Sequence, residues 1–94
     1  MFVVGALQIA IRLPEAQSLK EKRFILKSLI AQIRNKFNVS VSEIGSQDSW
    51  QMATLGVVHA GNDRSYTNKV LDQVLNFAEG IKKIEVVDSH LEFL

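Results

Sequence analysis

Residues 39–60 read VSVSEIGSQDSWQMATLGVVHA, and this stretch decides the fold. Val39 to Ile44 is a short β-branched run, stopped by Gly45 and the polar loop Ser46, Gln47, Asp48 and Ser49. From Trp50 to Ala60 the chain is strand-like again, with Ala53, Leu55 and Val57 alternating against Met52, Thr54 and Val58. Successive strand residues point to opposite faces of a sheet, so two alternating runs joined by a short polar loop predict a β-hairpin. The topology then depends on what flanks it.

Upstream is a helix. Ser18 followed by Glu21 matches a capping box, in which hydroxyl and carboxylate satisfy the free N–H groups of a helix start. At about 100° per residue, Leu19, Leu26, Leu29, Ile30, Ile33 and Phe37 fall on one arc, and Asn38 is placed to take a left-handed cap conformation. Before this helix, Phe2 to Leu13 is apolar and β-branched. Its odd positions Leu7, Ile9, Ile11 and Leu13 form one face, Gln8 and Arg12 wet the other, and Pro14 ends it. Downstream of the hairpin, Gly61, Asn62 and Asp63 break the strand. Asp63 or Ser65 can cap a second helix carrying Tyr66, Val70, Val74, Phe77 and Ala78 inward, and Gly80 stops it. Ile84 to Leu94 opens on Ile84, Val86 and Val87 and reads as a fourth strand. The order βαββαβ predicts an α+β, ferredoxin-like domain: a four-stranded antiparallel sheet with two helices on one face, right-handed crossovers, and Leu7, Ile9, Ile11, Leu55 and Val57 beneath the helices.

The chain's 94 residues predict one domain, 1–94, because a separate core needs more chain than would be left over. With 47% hydrophobic and 22% charged residues it has the balance of a folded, soluble protein rather than a disordered one. The absence of cysteine excludes disulfides and thiol chemistry and fits a reducing, cytoplasmic setting. No segment approaches the roughly 20 apolar residues of a membrane span, so no membrane partner is expected. A net charge of +1 means that attraction to a polyanion requires a locally concentrated basic surface.

Three blocks of sequence carry a family likeness: Leu19-Lys20-Glu21-Lys22-Arg23, then Leu26-Lys27-Ser28-Leu29, then Arg34-Asn35-Lys36-Phe37-Asn38-Val39-Ser40-Val41. Together with the opening Gly5-Ala6-Leu7 and the closing Asp88-Ser89, they resemble the YlxP-like bacterial proteins, a family of unknown function. The resemblance implies a ferredoxin-like fold, a bacterial cytosolic setting and genes often found beside those for transcription and translation factors. It implies no catalytic residue.

The most informative surface feature is a basic stripe on the first helix. Lys20, Arg23, Lys27 and Arg34 lie within roughly 60° of one another, to one side of the apolar arc, and Phe24 falls beside them. Such a surface can hold phosphates by charge-assisted hydrogen bonds while Phe24 stacks on a base or meets a partner. Alternatively, the charges are only the solvated face that a surface helix needs, and Phe24 packs against a strand edge or the loop after the first strand. The open sheet face offers Val4, Ala6, Met52 and Val58, with Phe2 and Trp50 near its ends, an apolar set suited to self-association. An RNA-recognition module would display aromatic residues on its central strands, and Met52-Ala53-Thr54-Leu55-Gly56-Val57-Val58 has none.

Catalysis and metal binding find little support. His59 and His90 sit on different strands with no cysteine to complete a zinc set, so ligands would have to come from carboxylates such as Asp63, Asp88 or Glu92. Ser89 and His90 are neighbours in a strand and point apart, so they form no dyad. Pro14-Glu15-Ala16-Gln17 lacks the glycines of an acylphosphatase-type loop, and the glycines at 5, 45, 56, 61 and 80 match no nucleotide-binding pattern. The expectation is a protein without catalytic residues, metal or cofactor. It contacts RNA or ribosomal components through Lys20, Arg23, Phe24, Lys27 and Arg34, or else self-associates through Phe2, Val4, Ala6, Trp50, Met52 and Val58.

Overall fold

A computed structural model describes residues 2–94. Its elements are β1 (Val3–Arg12), α1 (Leu19–Lys36), β2 (Ser40–Gly45), β3 (Met52–Gly61), α2 (Arg64–Glu79) and β4 (Glu85–Phe93). The strands form one sheet in the order β2-β3-β1-β4, every neighbouring pair antiparallel. This is the expected ferredoxin-like arrangement.

Burial follows the alternation read from the sequence. Leu7, Ile9 and Ile11 of β1 and Ala53, Leu55 and Val57 of β3 are almost fully buried against Leu26, Leu29 and Ile33 of α1 and Leu71, Val74 and Ala78 of α2. Each Leu, Ile or Val so buried contributes roughly 1.5–3 kcal/mol of transfer free energy, which fixes the register of the central pair. Ile9 faces Leu55 and Leu7 faces Val57, so a one-residue slip would turn this core into solvent. Where α2 crosses β1, Gly5 makes the approach possible: a Cβ there would lie 2.7 Å from Thr67 Cγ2 and 2.8 Å from Leu71 Cδ1.

Two local expectations are corrected. Tyr66 is not an inward residue but is 58% exposed. The buried face of α2 runs through Thr67, Val70, Leu71, Val74 and Ala78, so Tyr66 sits one helical step to the side, with its ring edge-on to His59 at 5.9 Å. Asn38 takes no left-handed cap: Ser46 is the non-glycine residue with positive φ among those described. Instead α1 ends on Phe37, which is extended at φ −128° while its N–H still donates to Ile33 O. Phe37 packs edge-on against Phe77 at 6.0 Å, and this contact leads the chain straight towards β2 without a left-handed turn. At the other end of α1 both halves of the expected cap are present, Ser18 Oγ accepting from Glu21 N–H and the Glu21 carboxylate from Gln17 N–H.

Two strands carry an irregularity. The β2–β3 register shifts between Glu43 and Gly45, leaving Ile44 as the extra residue, and β4 shifts against β1 beside Val87. Both extra residues are exposed. Bulges on outer strands disturb the free backbone edge that would otherwise pair with another sheet.

Candidate nucleic-acid interface

The exposed side of α1 is built by the same periodicity that buries Leu26, Leu29 and Ile33 on its other side. Lys20, Arg23, Phe24, Lys27 and Arg34 are all exposed. The reading in which Phe24 packs against a strand edge or the loop after β1 does not hold, because the ring is 75% exposed. Its neighbours are helical residues, Glu15 of the loop after β1 and the turn after α2, which leave its outer face uncovered.

The basic residues do not all line one site. Arg23, Lys27 and Arg34 border an open groove of about 390 Å³ between α1 and β2, floored by Leu26, Ile30 and Val41. Arg34 is fixed there, its Nη2 donating to Val41 O at 3.0 Å. Lys20 and Phe24 instead border the opposite flank of α1, in a depression of about 540 Å³ shared with Glu15, Glu21, Ile25 and Lys83. The sequence stripe is therefore a ridge with two sides.

Electrostatically the ridge is unbalanced. The ion pairs among the described residues are Arg12–Glu85 at 2.9 Å and Lys22–Glu43 at 3.0 Å, neither of which involves the stripe. Glu43 also borders the groove, but its carboxylate is taken by Lys22. Lys22 itself was not singled out by charge pattern, yet it lies inside the apolar arc of α1 and is 1% exposed. Its Nζ donates to Ser46 O at 2.7 Å and Ser49 O at 2.6 Å, while Glu43 Oε2 lies close enough for an ion pair without the alignment of a hydrogen bond. Burial of a lysine is tolerated only with such satisfaction. Lys22 thus ties the β2–β3 loop, including left-handed Ser46 at φ 62°, to the helix. A lysine at an apolar helical position was the legible signal.

The open sheet face carries Val4, Ala6, Gln8, Ala10 and Arg12 from β1 beside Ala60, Val58, Gly56, Thr54 and Met52 from β3. Val4, Ala6 and Val58 lie at one end and Met52 at the other, about 27 Å along β1 by strand rise. Phe2 precedes β1 and Trp50 lies in the bend before β3, both at least half exposed. The six residues expected to share a patch are thus divided between two ends of the sheet. No aromatic residue stands on this face of β1 or β3 to act as a base-stacking platform.

The histidines are on opposite faces. His59 is buried on the helix side, Nδ1 2.9 Å from Thr67 Oγ1, whereas His90 pairs with Gln8 on the open side and is exposed. Ser89 pairs with Ile9, so it points away from His90. Among the described residues no cluster of three or more His, Asp or Glu is placed to hold a metal ion, and no helix is long and apolar enough to cross a membrane.

Residues 4–91 match the family model described as a protein of unknown function, DUF503. The chain belongs to the DUF503 family. Within it, a stretch of 71 residues is 46% identical to the uncharacterized protein YlxP of Bacillus subtilis (strain 168), covering 76% of this chain and 77% of that one. The YlxP-like resemblance of the α1 and β2 blocks is the same relationship. Among solved structures, a REP-associated tyrosine transposase bound to a REP hairpin is similar over 98% of this chain and 56% of its own, at 11% identity and a TM-score of 0.45. This DUF503 chain spans little more than half of that longer protein, and the likeness is too distant to carry a role across.

Proposed function

We propose that the protein is a non-enzymatic accessory factor that contacts RNA, alone or within a ribonucleoprotein, through the exposed basic ridge of α1. One observation carries the reading: Lys20, Arg23, Lys27 and Arg34 project from one helix with no carboxylate within ion-pair distance among the described residues. Unpaired cations grouped on a rigid element are suited to phosphate contacts, and Arg34 is held in place by Val41 O. The groove beside it offers exposed guanidinium and ammonium groups with an apolar floor.

The test is the salt dependence of binding to a labelled single-stranded RNA. Three or four phosphate contacts lower the affinity roughly 20- to 50-fold between 50 and 200 mM salt. Reversing two of them, with Lys27→Glu and Arg34→Glu together, should weaken binding and flatten the dependence on log salt by about 1.4. Affinity indifferent both to salt and to these substitutions would overturn the reading.

A second reading, self-association through the open sheet face, is supported by the exposure of Phe2, Ile44, Trp50, Val58 and Leu94. Exposed apolar side chains of this size mark contact surfaces when they are continuous. Here Phe2, Val58 and Leu94 lie towards one end of the sheet and Trp50 at the other, with Ile44 alone between them beside Gly56, which favours the basic ridge as the first reading.

A further inference from the structure

The exposed aromatic of α1 has neighbours that the sequence does not bring together. Lys82 and Lys83, in the turn between α2 and β4, lie across a shallow cleft of about 220 Å³ from Phe24, Ile25, Ser28 and Gln32. With Lys20 on the adjoining depression, three lysines line the two hollows that meet at the uncovered Phe24. None of the three is in an ion pair among the described residues. Two carboxylates line the same depression, Glu15 and Glu21, the latter accepting from Gln17 N–H, so the three lysines outnumber them.

We infer that this flank is a nucleotide subsite in which an unpaired base of the RNA stacks on Phe24 while the flanking phosphates meet Lys20, Lys82 and Lys83. The inference rests on the RNA reading above and names the form of the ligand. An apolar protein surface pressed onto Phe24 would strip water from three ammonium groups and return no counter-charge. A nucleotide supplies both a π-face and anionic oxygens within a few ångströms of each other. Paired bases in an A-form duplex are closed to a ring projecting from a helix, so the base on Phe24 has to come from a single strand, a bulge or a loop. The groove with Arg23, Lys27 and Arg34 on the other flank then takes phosphates further along the strand.

The experiment compares a single-stranded RNA decamer carrying 2-aminopurine with the same strand annealed to its complement, each titrated with the full chain. Because Phe24 is exposed, its variants should keep the wild-type melting temperature, which is checked first. Phe24→Ala and Phe24→Leu should each weaken single-strand binding roughly 5- to 100-fold and abolish the quenching of 2-aminopurine. Phe24→Tyr should retain both, and duplex affinity and the salt dependence should be unchanged throughout. Salt-dependent single-strand binding that Phe24→Leu leaves intact, or an equal loss on the duplex, would overturn the stacking subsite while the RNA reading stands. Absence of binding to either RNA by the unaltered chain would remove both.

Discussion

Lys22 and Lys20 are two residues apart on α1 and do opposite things. Lys20 is exposed on the ridge, whereas Lys22 points into the molecule and satisfies its ammonium on two carbonyls and a carboxylate of the β2–β3 hairpin. Replacing Lys22 by Met keeps the length and removes the donors, leaving the Ser46 and Ser49 carbonyls and the Glu43 carboxylate short of partners. Breaking a buried pair in this way costs about 3–5 kcal/mol. Urea unfolding should show that loss for Lys22→Met, partial recovery in the double variant with Glu43→Gln, and a change within about 0.5 kcal/mol for Lys20→Met. Trp50, the chain's single tryptophan, follows Ser49 directly and should report loosening of the loop by its emission. An unfolding midpoint for Lys22→Met equal to that of the unaltered protein would show that these contacts hold nothing.

At the scale of elements, the contact between α2 and β1 depends on a missing side chain. A Cβ at position 5 would lie closer than 3.0 Å to atoms of Thr67 and Leu71, both fully buried and without room to swing away. Gly5→Ala should therefore push α2 off the sheet and cost about 1–3 kcal/mol as overpacking. Gly80 is the control, since its backbone is at φ −87° and a Cβ there meets nothing nearer than 3.5 Å. Gly80→Ala should be neutral or stabilising by roughly 0.4–1 kcal/mol through the unfolded chain. Thermal melts of both variants check the pair, and equal losses would show that the close approach at Gly5 is not what matters. Helix α1 is an element with three functions: its buried side builds the core, its β2 flank fixes Arg34, and its other flank exposes Phe24.

Over the whole molecule, charge is separated although the net value is only +1. Exposed cations gather along α1 and the turn at Lys82 and Lys83, while Asp88 and Glu92 lie unpaired on β4 at the opposite edge of the sheet from β2, Glu85 there being neutralised by Arg12. A polyanion is thus attracted to one side of the protein and repelled by another, which orients it on approach. The open sheet face provides a separate prediction at this scale. Self-association through it should appear as a concentration-dependent sedimentation coefficient that Val58→Asp returns to that of the monomer. A single monomeric species at every dilution would end the second reading and leave the first untouched.

The fold was legible because alternation and helical periodicity are local, and here they agree: the hairpin in 39–60, the capped helix before it and the Asp63-capped helix after it admit few other topologies. The exposure of Lys20, Arg23, Lys27 and Arg34 was legible for the same reason. At about 100° per residue Lys22 falls on the same arc as Leu26, Leu29 and Ile33, so its burial follows from the same periodicity. Three features were decided by tertiary structure. Lys82 and Lys83 line one cleft with Phe24 only because the turn after α2 folds back beside α1, bringing together residues more than fifty apart in sequence. Phe37 displaces the cap expected at Asn38 because it meets Phe77 of another helix. The apolar residues of the open face are divided because the antiparallel register puts Met52 opposite Arg12 and Val58 opposite Ala6, at separate ends of long strands. Periodicity determines which side of an element is buried; what stands beside that element depends on chain closure over long loops, and no local pattern encodes it.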